Sequence, residues 1–316
     1  MGERERADRC ADAAQHGHWD GAMPDGMASL ESALAITSSA FGHDSLTSRR
    51  SVAQRAVDLE REPNRHRAVA LELLGVALML EGDFPGARDV LQEAVRLDED
   101  TSTGAISLAH LALISLREGG EGMALRQARR AHAIVELPRM RANLSSLATS
   151  SVLAHLLARR GDLGGAAAAV ERVNALLPRA TEAFWWLMIE TRILLAPVLV
   201  ALDRGGEAVT QLEEAGVLLA EHTDAGKLHN WYAETLQQLH LAPHHRPRQQ
   251  ATEALSDAER RVLRLLASNL SLSEIGRELY LSVNTVKTHR LSIYRKLGVS
   301  SRADAVRAAR TEAHVL

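Results

Sequence analysis

A repeated pair of helices is the feature of this sequence that most limits the folds it can adopt. Four segments carry the same order: a large apolar residue before a small one, a glycine-containing turn, then small and apolar residues at i, i+4 and i+7. The alanines that follow the turns are 37, 42 and 42 residues apart, at Ala87, Ala124, Ala166 and Ala208. Such periods predict stacked helical hairpins, because one hairpin cannot bury its apolar face alone.

Glycines in the four turns predict where the first helix of each hairpin ends. Glycine accepts the positive φ that a helix C-terminus often needs. Gly82 and Gly161 are each followed by Asp, and Gly119 and Gly205 are each followed by Gly. Residues 28–40 and 50–59 have the same character and predict one more, degenerate hairpin.

The composition favours an all-α protein. Aromatic residues are only 3% of the chain, and alanine and leucine, which favour helices, supply most of its 46% hydrophobic residues. The single cysteine, Cys10, excludes an internal disulfide and a cysteine-cluster zinc site. The most apolar run, residues 193–202, contains Pro197 and has about half the length that crosses a bilayer. With no signal peptide in the charged N-terminus, we expect a cytoplasmic protein without a membrane partner.

The first repeat resembles the tetratricopeptide repeat. The match rests on Leu74, Gly75, Ala87, Leu91 and Ala94. The early Trp and mid-helix Tyr of that family are missing, and the period exceeds the usual length of about 34 residues. The resemblance therefore implies a divergent, tetratricopeptide-like solenoid.

The repeat pattern ends near His240. Residues 242–250 hold two prolines and no apolar periodicity, as in a linker. The predicted organisation is an N-terminal extension that is poorly ordered (1–25), a helical repeat domain (26–240), a linker (241–251) and a second domain (252–316).

The second domain is dense with helix signals. Residues 257–268 predict an amphipathic helix, and Ser271 with Glu274 forms a capping-box pattern that opens another. A longer helix follows over residues 282–297, and Val286, Ile293 and Leu297 fall at i, i+7 and i+11 as its core stripe. A last helix runs from Ser301 to about residue 310. Two helices joined by a tight turn, the second one longer, are typical of a helix-turn-helix.

Charge predicts what the longer helix touches. Residues 252–316 hold 11 Arg or Lys and 7 Asp or Glu, a net charge of +4, whereas the whole chain carries −3. Residues 282–297 include four cations and no acid. A cationic helix of this kind fits the major groove of duplex DNA.

Spaced residues across the second domain carry a specific resemblance to the LuxR-type DNA-binding domain. They are Leu255, Ser256, Glu259, Val262, Leu263, Leu266, Ala267, Leu270, Ser271, Glu274, Ile275, Ser282, Thr285, Val286, Lys287, Thr288, His289, Ile293, Tyr294, Lys296, Leu297, Gly298, Val299, Arg302, Ala305 and Val306. The resemblance implies a four-helix domain that dimerises through its last helix. It departs from the family at Ala258 and Gly276, both in the scaffold.

The resemblance also implies a DNA-contacting set. Lys287, Thr288 and Leu291 become the base-facing positions. Phosphate contacts are expected from Ser282, Thr285, His289 and Arg295. Asn284, Arg290 and Lys296 complete the predicted DNA-binding residues. His289 could instead pack against the core, and Arg295 could pair with an acid of its own domain.

Both domains together resemble the C-terminal part of MalT-like, large ATP-binding LuxR regulators. The nucleotide-binding domain of those proteins has no counterpart here, because Gly226 and Lys227 are followed by Leu228 and Glu221 stands where a P-loop needs glycine. The chain could be a shortened relative or a fragment. No catalytic set accompanies a supporting motif, so we expect neither an enzyme nor a cofactor.

The sequence thus predicts a bacterial transcription regulator that binds double-stranded DNA in a sequence-specific way as a homodimer, with RNA polymerase a possible partner. The repeats would sense an unknown effector or partner protein. One alternative is a protein–protein adaptor whose terminal domain docks to the transcription machinery; another is a sigma-factor-like promoter reader. Phe184, Trp185 and Trp186 form either core or a ligand groove, and the histidines at 16, 18, 240, 244 and 245 are better explained by solvation than by metal binding.

Overall fold

The structure is a computed structural model, and helices dominate the residues that it describes. These are residues 17, 23–41, 46–137, 140, 143, 145–180, 184–241, 255–268, 270–279, 286, 289–290, 293, 302 and 305–306. Within these ranges there is no β-strand, and the predicted all-α class is confirmed. The helices are α1 (Leu30–Phe41), α2 (Leu46–Leu59), α3 (Arg65–Glu81), α4 (Phe84–Leu97), α5 (Ser102–Arg117), α6 (Glu121–Val135), α7 (Ser145–Arg159), α8 (Leu163–Leu176), α9 (Trp185–Ala201), α10 (Gly205–Glu221), α11 (Lys227–Leu241), α12 (Asp257–Leu266) and α13 (Leu272–Leu279).

The chain divides into two compact units, Met1–Leu241 and Ala242–Leu316. We call the first the hairpin unit and the second the C-terminal unit. Almost all of the predicted extension at 1–25 lies outside the described residues, as does the predicted linker apart from Leu241, which ends α11. No helix in the described part of the chain is long and apolar enough to cross a membrane.

Consecutive helices of the hairpin unit pack in antiparallel pairs, and neighbouring pairs stack. The additional, degenerate hairpin precedes the four repeats and is present as α1 and α2. All four anchor alanines are almost completely buried, in the second helices of their hairpins. Small residues permit this approach: a Cβ at Gly75 would lie 2.5 Å from Cγ of Leu91.

Three of the four predicted turns use glycine as expected. Gly82, Gly119 and Gly161 have φ of 99°, 80° and 78°. The prediction is wrong for the fourth turn, because the residue with a positive φ, of 60°, is Asp203 and not Gly205. Gly205 instead begins α10. Aspartate tolerates the left-handed region better than most residues, since its short side chain can interact with its own backbone.

The first helices of the hairpins lie inside the unit. Helix α5 contacts α3 and α7, α7 contacts α9, and α11 reaches across to both α9 and α3. Nearly every residue of α7 between 145 and 157 is buried, so this helix has no solvent face. Trp185 and Trp186 are core residues, and Phe184 is half-buried with its ring 5.2 Å from that of Phe41.

Candidate nucleic-acid interface

Helix α12 opens the C-terminal unit with a reciprocal cap. The backbone N–H of Ser256 donates to Glu259 Oε2 over 2.6 Å, and the N–H of Glu259 donates to Ser256 Oγ over 3.2 Å. This satisfies two N–H groups that the first helical turn leaves without partners. The helix then buries Val262, Leu263 and Leu266, as its amphipathic pattern predicts.

The capping box predicted for the next helix is also present. Ser271 N–H and its hydroxyl donate to Glu274 Oε2 over 2.8 and 2.7 Å, and Glu274 N–H donates to Ser271 Oγ over 3.3 Å. These hydrogen bonds lower the pKa of Glu274, because they stabilise the carboxylate. Ile275 on the following turn is fully buried, and α12 contacts α13 directly.

Arg302 holds the turn between these two helices. Its Nε donates to the carbonyl of Leu266 over 2.8 Å, and one terminal nitrogen donates to the carbonyls of Ser268 and Leu270 over 2.7 and 2.9 Å. A planar guanidinium can serve several acceptors at once, and a cation suits the C-terminal end of α12. The sequence identified Arg302 only as part of a family pattern, and nothing local to it signals contacts 32 to 36 residues away.

The third helix of the unit is fixed by apolar residues on one side. Val286, Ile293 and Ala305 are fully buried in the same core as α12 and α13, and positions 286 and 293 are helical. Residues seven apart share a helix face. The core stripe predicted for this helix is therefore present at both of its described positions; Leu297, its third member, lies outside the described residues.

Two of the ten predicted DNA-binding residues are described. His289 and Arg290 are helical and half-buried. At about 100° per residue, each lies about 50° from the mean direction of Val286 and Ile293, so both flank the core stripe. The other eight lie outside the described residues: Ser282, Asn284, Thr285, Lys287, Thr288, Leu291, Arg295 and Lys296.

The side chains of the histidines considered as metal ligands also lie outside what the structure describes. In the described part of the chain, no group of three or more His, Cys, Asp or Glu residues could hold a metal ion.

Comparison with known families shows what the C-terminal unit is similar to. Residues 253–309 match the family described as bacterial regulatory proteins, luxR family. "Probable transcriptional regulatory protein NarL" of Mycobacterium tuberculosis is 52% identical over 52 residues, which are 16% of this chain and 24% of that protein. The Escherichia coli K12 protein YhjB, named as an HTH-type transcriptional regulator, is 45% identical over 53 residues, 17% of this chain and 26% of its own length. The chain thus spans about a quarter of these relatives.

Solved structures resemble the chain more distantly. A crystal structure of YrrB, titled as a TPR protein with an unusual peptide-binding site, superimposes with a TM-score of 0.34 and 15% identity, over 66% of this chain and 91% of YrrB.

Proposed function

Because residues 253–309 form a LuxR-type helix-turn-helix domain, we propose that the chain regulates transcription by binding specific sites in duplex DNA. Two observations together carry this proposal: the family match of residues 253–309 and the buried core of the C-terminal unit. Val286 and Ile293 place one side of the third helix inside the unit, so its opposite side is the one that remains for DNA. From the helical period alone, we assign to that side Asn284, Lys287, Thr288, Leu291 and Arg295.

In the proposal, the residues of this surface have different roles. Lys287 and Thr288 reach base edges by hydrogen bonds, and Leu291 makes an apolar base contact. Ser282, Thr285, Arg295 and Lys296 bind phosphates, which position the helix without specifying sequence. His289 and Arg290 flank the core, and we assign them to phosphates at the margin of the interface.

The hairpin unit, in this proposal, receives the signal, either a small effector or a partner protein. The chain acts as a homodimer on two half-sites about one helical turn apart, near enough to RNA polymerase to affect it.

Fluorescence anisotropy over a salt series tests the proposal, first on pooled genomic duplexes and then on a selected site. The unmodified chain should show a steep inverse dependence on salt. Lys287→Ala should weaken the selected site by about 1–3 kcal/mol and weaken unrelated duplexes less. Arg295→Ala should weaken all duplexes alike and lower the salt slope by about one.

The matched control is Arg126→Ala, which removes an exposed cation of α6 in the hairpin unit. It should leave affinity and slope unchanged. If neither the unmodified chain nor residues 252–316 alone bound DNA, the protein–protein adaptor would replace this proposal.

A further inference from the structure

Helix α11 differs from the helices that begin the repeats of the hairpin unit. It stands where a fifth repeat would begin, and it ends at Leu241, the last residue of that unit. Helices α3, α7 and α9 are buried along most of their length, whereas α11 buries only one side, with Leu228, Trp231 and Thr235 at i, i+3 and i+7. Its exposed residues are His229, Asn230, Ala233, Glu234, Gln237 and Gln238. An amphipathic helix of this kind lies on the unit and not inside it.

The surface beneath α11 is built by helices from distant repeats. Helix α11 contacts α3 of the first repeat together with α9 and α10 of the fourth. Where the chain enters α11, Gly226 leaves no room for a Cβ beside the carbonyl of Leu80 in α3. Farther along, a Cβ at Gly216 of α10 would lie 2.7 Å from the hydroxyl oxygen of Tyr232. The first and fourth repeats therefore form a groove that holds a single helix.

Arg117 of α5 completes this groove over the ring of Trp231. Its guanidinium carbon lies 4.4 Å from the centroid of that ring, within the range in which a cation attracts an aromatic face. Glu234, three residues after Trp231, interacts electrostatically with the same cation. We call the surface formed by Leu80, Gly82, Arg117 and Gly216 the α11 groove. Its cation recognises an aromatic residue and an acid on the helix that it holds.

The fit of α11 in this groove is incomplete. Trp231 is only 6% exposed, yet its indole nitrogen has no hydrogen-bond partner among the residues that the structure describes. A buried donor without a partner lowers stability, because it has lost its water and gained nothing in exchange. This cost weakens the attachment of α11 and makes the helix easier to displace.

We propose that the α11 groove is the docking site for an amphipathic helix of a partner protein, and that α11 occupies the groove until such a helix displaces it. A groove that holds a helix by one apolar side is suited to this mode of recognition. The partner helix would carry a large aliphatic residue, an aromatic residue three positions later and an acid three positions after that, in the pattern of Leu228, Trp231 and Glu234. Because it names the kind of partner that the hairpin unit receives, this inference rests on the proposed function.

A fluorescein-labelled peptide with the sequence of residues 222–241 is the probe, and anisotropy follows its binding to the full chain. In the unmodified chain, α11 competes with the peptide, so the apparent Kd is raised in proportion as the open groove is rare. The chain variant Trp231→Ala weakens this competitor and leaves the groove itself unchanged. It should therefore bind the unmodified peptide at least about tenfold more tightly than the unmodified chain does.

Two controls test whether the peptide enters the groove as α11 does. The peptide with Trp231→Ala should bind at least about tenfold more weakly than the unmodified peptide, since it has lost its aromatic anchor. Gln237→Ala changes an exposed position of the same helix and should leave the Kd unchanged, both in the chain and in the peptide. No saturable binding to either chain up to about 0.5 mM, or equal binding of the two peptides, would overturn the inference.

Hydrogen exchange of the unmodified chain decides the matter if Trp231→Ala fails to fold. The amides of α11 should exchange together, and at least about tenfold faster than those of α9, because the groove opens without unfolding the unit. If the amides of α11 were as protected as those of α9, α11 would be part of the core and the inference would be wrong.

DNA anisotropy on the same samples separates this inference from the proposed function. Absence of peptide binding with intact DNA binding overturns only the docking site. Peptide binding without DNA binding supports the docking site and overturns only the proposed function.

Discussion

The hairpin unit and the C-terminal unit bury their helices in opposite ways. In the C-terminal unit, α12 hides Val262 and Leu266 and leaves Arg261 and Arg264 exposed, so one stripe faces the core. In the hairpin unit, α7 is surrounded and even its serines are buried. A one-sided helix depends on a few large apolar side chains. A surrounded helix divides its contacts among many neighbouring residues and also buries polar groups. Each buried polar group lowers the free energy of unfolding unless it has a partner or a function.

The largest expected effect tests this dependence with matched isoleucines, both fully buried. Ile293→Ala and Ile189→Ala should each cost about 2–5 kcal/mol of unfolding free energy. In a unit as small as residues 242–316, total stability is about 4–10 kcal/mol, so Ile293→Ala should remove most of the folded C-terminal unit and its DNA binding. Ile189→Ala should leave the hairpin unit folded.

Urea unfolding measures both variants, with circular dichroism reporting the whole chain and DNA anisotropy reporting the C-terminal unit. If Ile293→Ala kept full DNA binding while Ile189→Ala abolished it, the proposed contrast between a small, one-sided core and a distributed one would be wrong.

The next effect concerns a trapped polar group, Glu72. Folding raises the pKa of the Glu72 carboxyl from 4.5 to about 7. Between pH 4.5 and about 7, this carboxyl is therefore protonated in the folded state and ionised in the unfolded chain. The unfolding free energy should therefore fall as pH rises from 4.5 to about 7, by about 3 kcal/mol in all. His110, whose pKa is also raised, adds a contribution of the same sign: its stabilisation is present below 6.5 and is lost as pH rises through its folded pKa. Glu72→Gln should remove the part that Glu72 contributes.

Unfolding at about pH 4.5 and about pH 8 measures this difference. His155 has the opposite sign, because burial lowers its pKa to about 4, and comparing variants at the same pH cancels its contribution. Glu118→Gln, a half-exposed carboxylate paired with Arg88, is the control and should keep the pH dependence of the unmodified chain. An unchanged pH dependence in Glu72→Gln would remove Glu72 as the source.

Much of this contrast was predictable from sequence because its signals are local. Apolar positions at helical spacing identified the buried side of α12, and spaced alanines identified the second helices of the hairpins. The buried polar residues of the hairpin unit gave no such signal. Arg49, Glu72, His110 and Glu190 are dispersed along the chain and meet only through hairpin stacking; the adjacent Trp185 and Trp186 were the single hint. A surrounded helix also lacks the amphipathic periodicity that would show which side contacts which neighbour.

A smaller effect is expected at Arg302, which holds three backbone carbonyls of the helix-turn-helix turn. Arg302→Met keeps a long apolar stem and removes these hydrogen bonds, and it should cost the C-terminal unit about 2–3 kcal/mol. Arg261→Met, on the exposed side of α12, should change the unfolding free energy by less than about 0.5 kcal/mol. Equal losses in the two variants would mean that charge, and not the hydrogen bonds, explains the effect.

The position of the proposed DNA-contacting face follows from helix geometry. The half-burial of His289 and Arg290 limits how that face is oriented, because two residues that flank the core cannot also lie opposite it. The sequence could not show this, since both side chains are polar and read as surface positions.

The smallest expected effect compares two corresponding turns of the hairpin unit. Gly161 has φ of 78° and no atom within 4 Å of an added Cβ, so a side chain there would meet backbone strain alone. Asp203, exposed at φ of 60°, already bears that strain. Gly161→Asp should therefore lower the unfolding free energy by about 1 kcal/mol, and Asp203→Gly should raise it by up to about 1 kcal/mol. If the two turns act independently, the double exchange should restore the original value within about 0.5 kcal/mol. If Asp203→Gly were destabilising, the aspartate side chain would be stabilising its turn by an interaction that glycine cannot replace, and the third and fourth hairpins would not be equivalent.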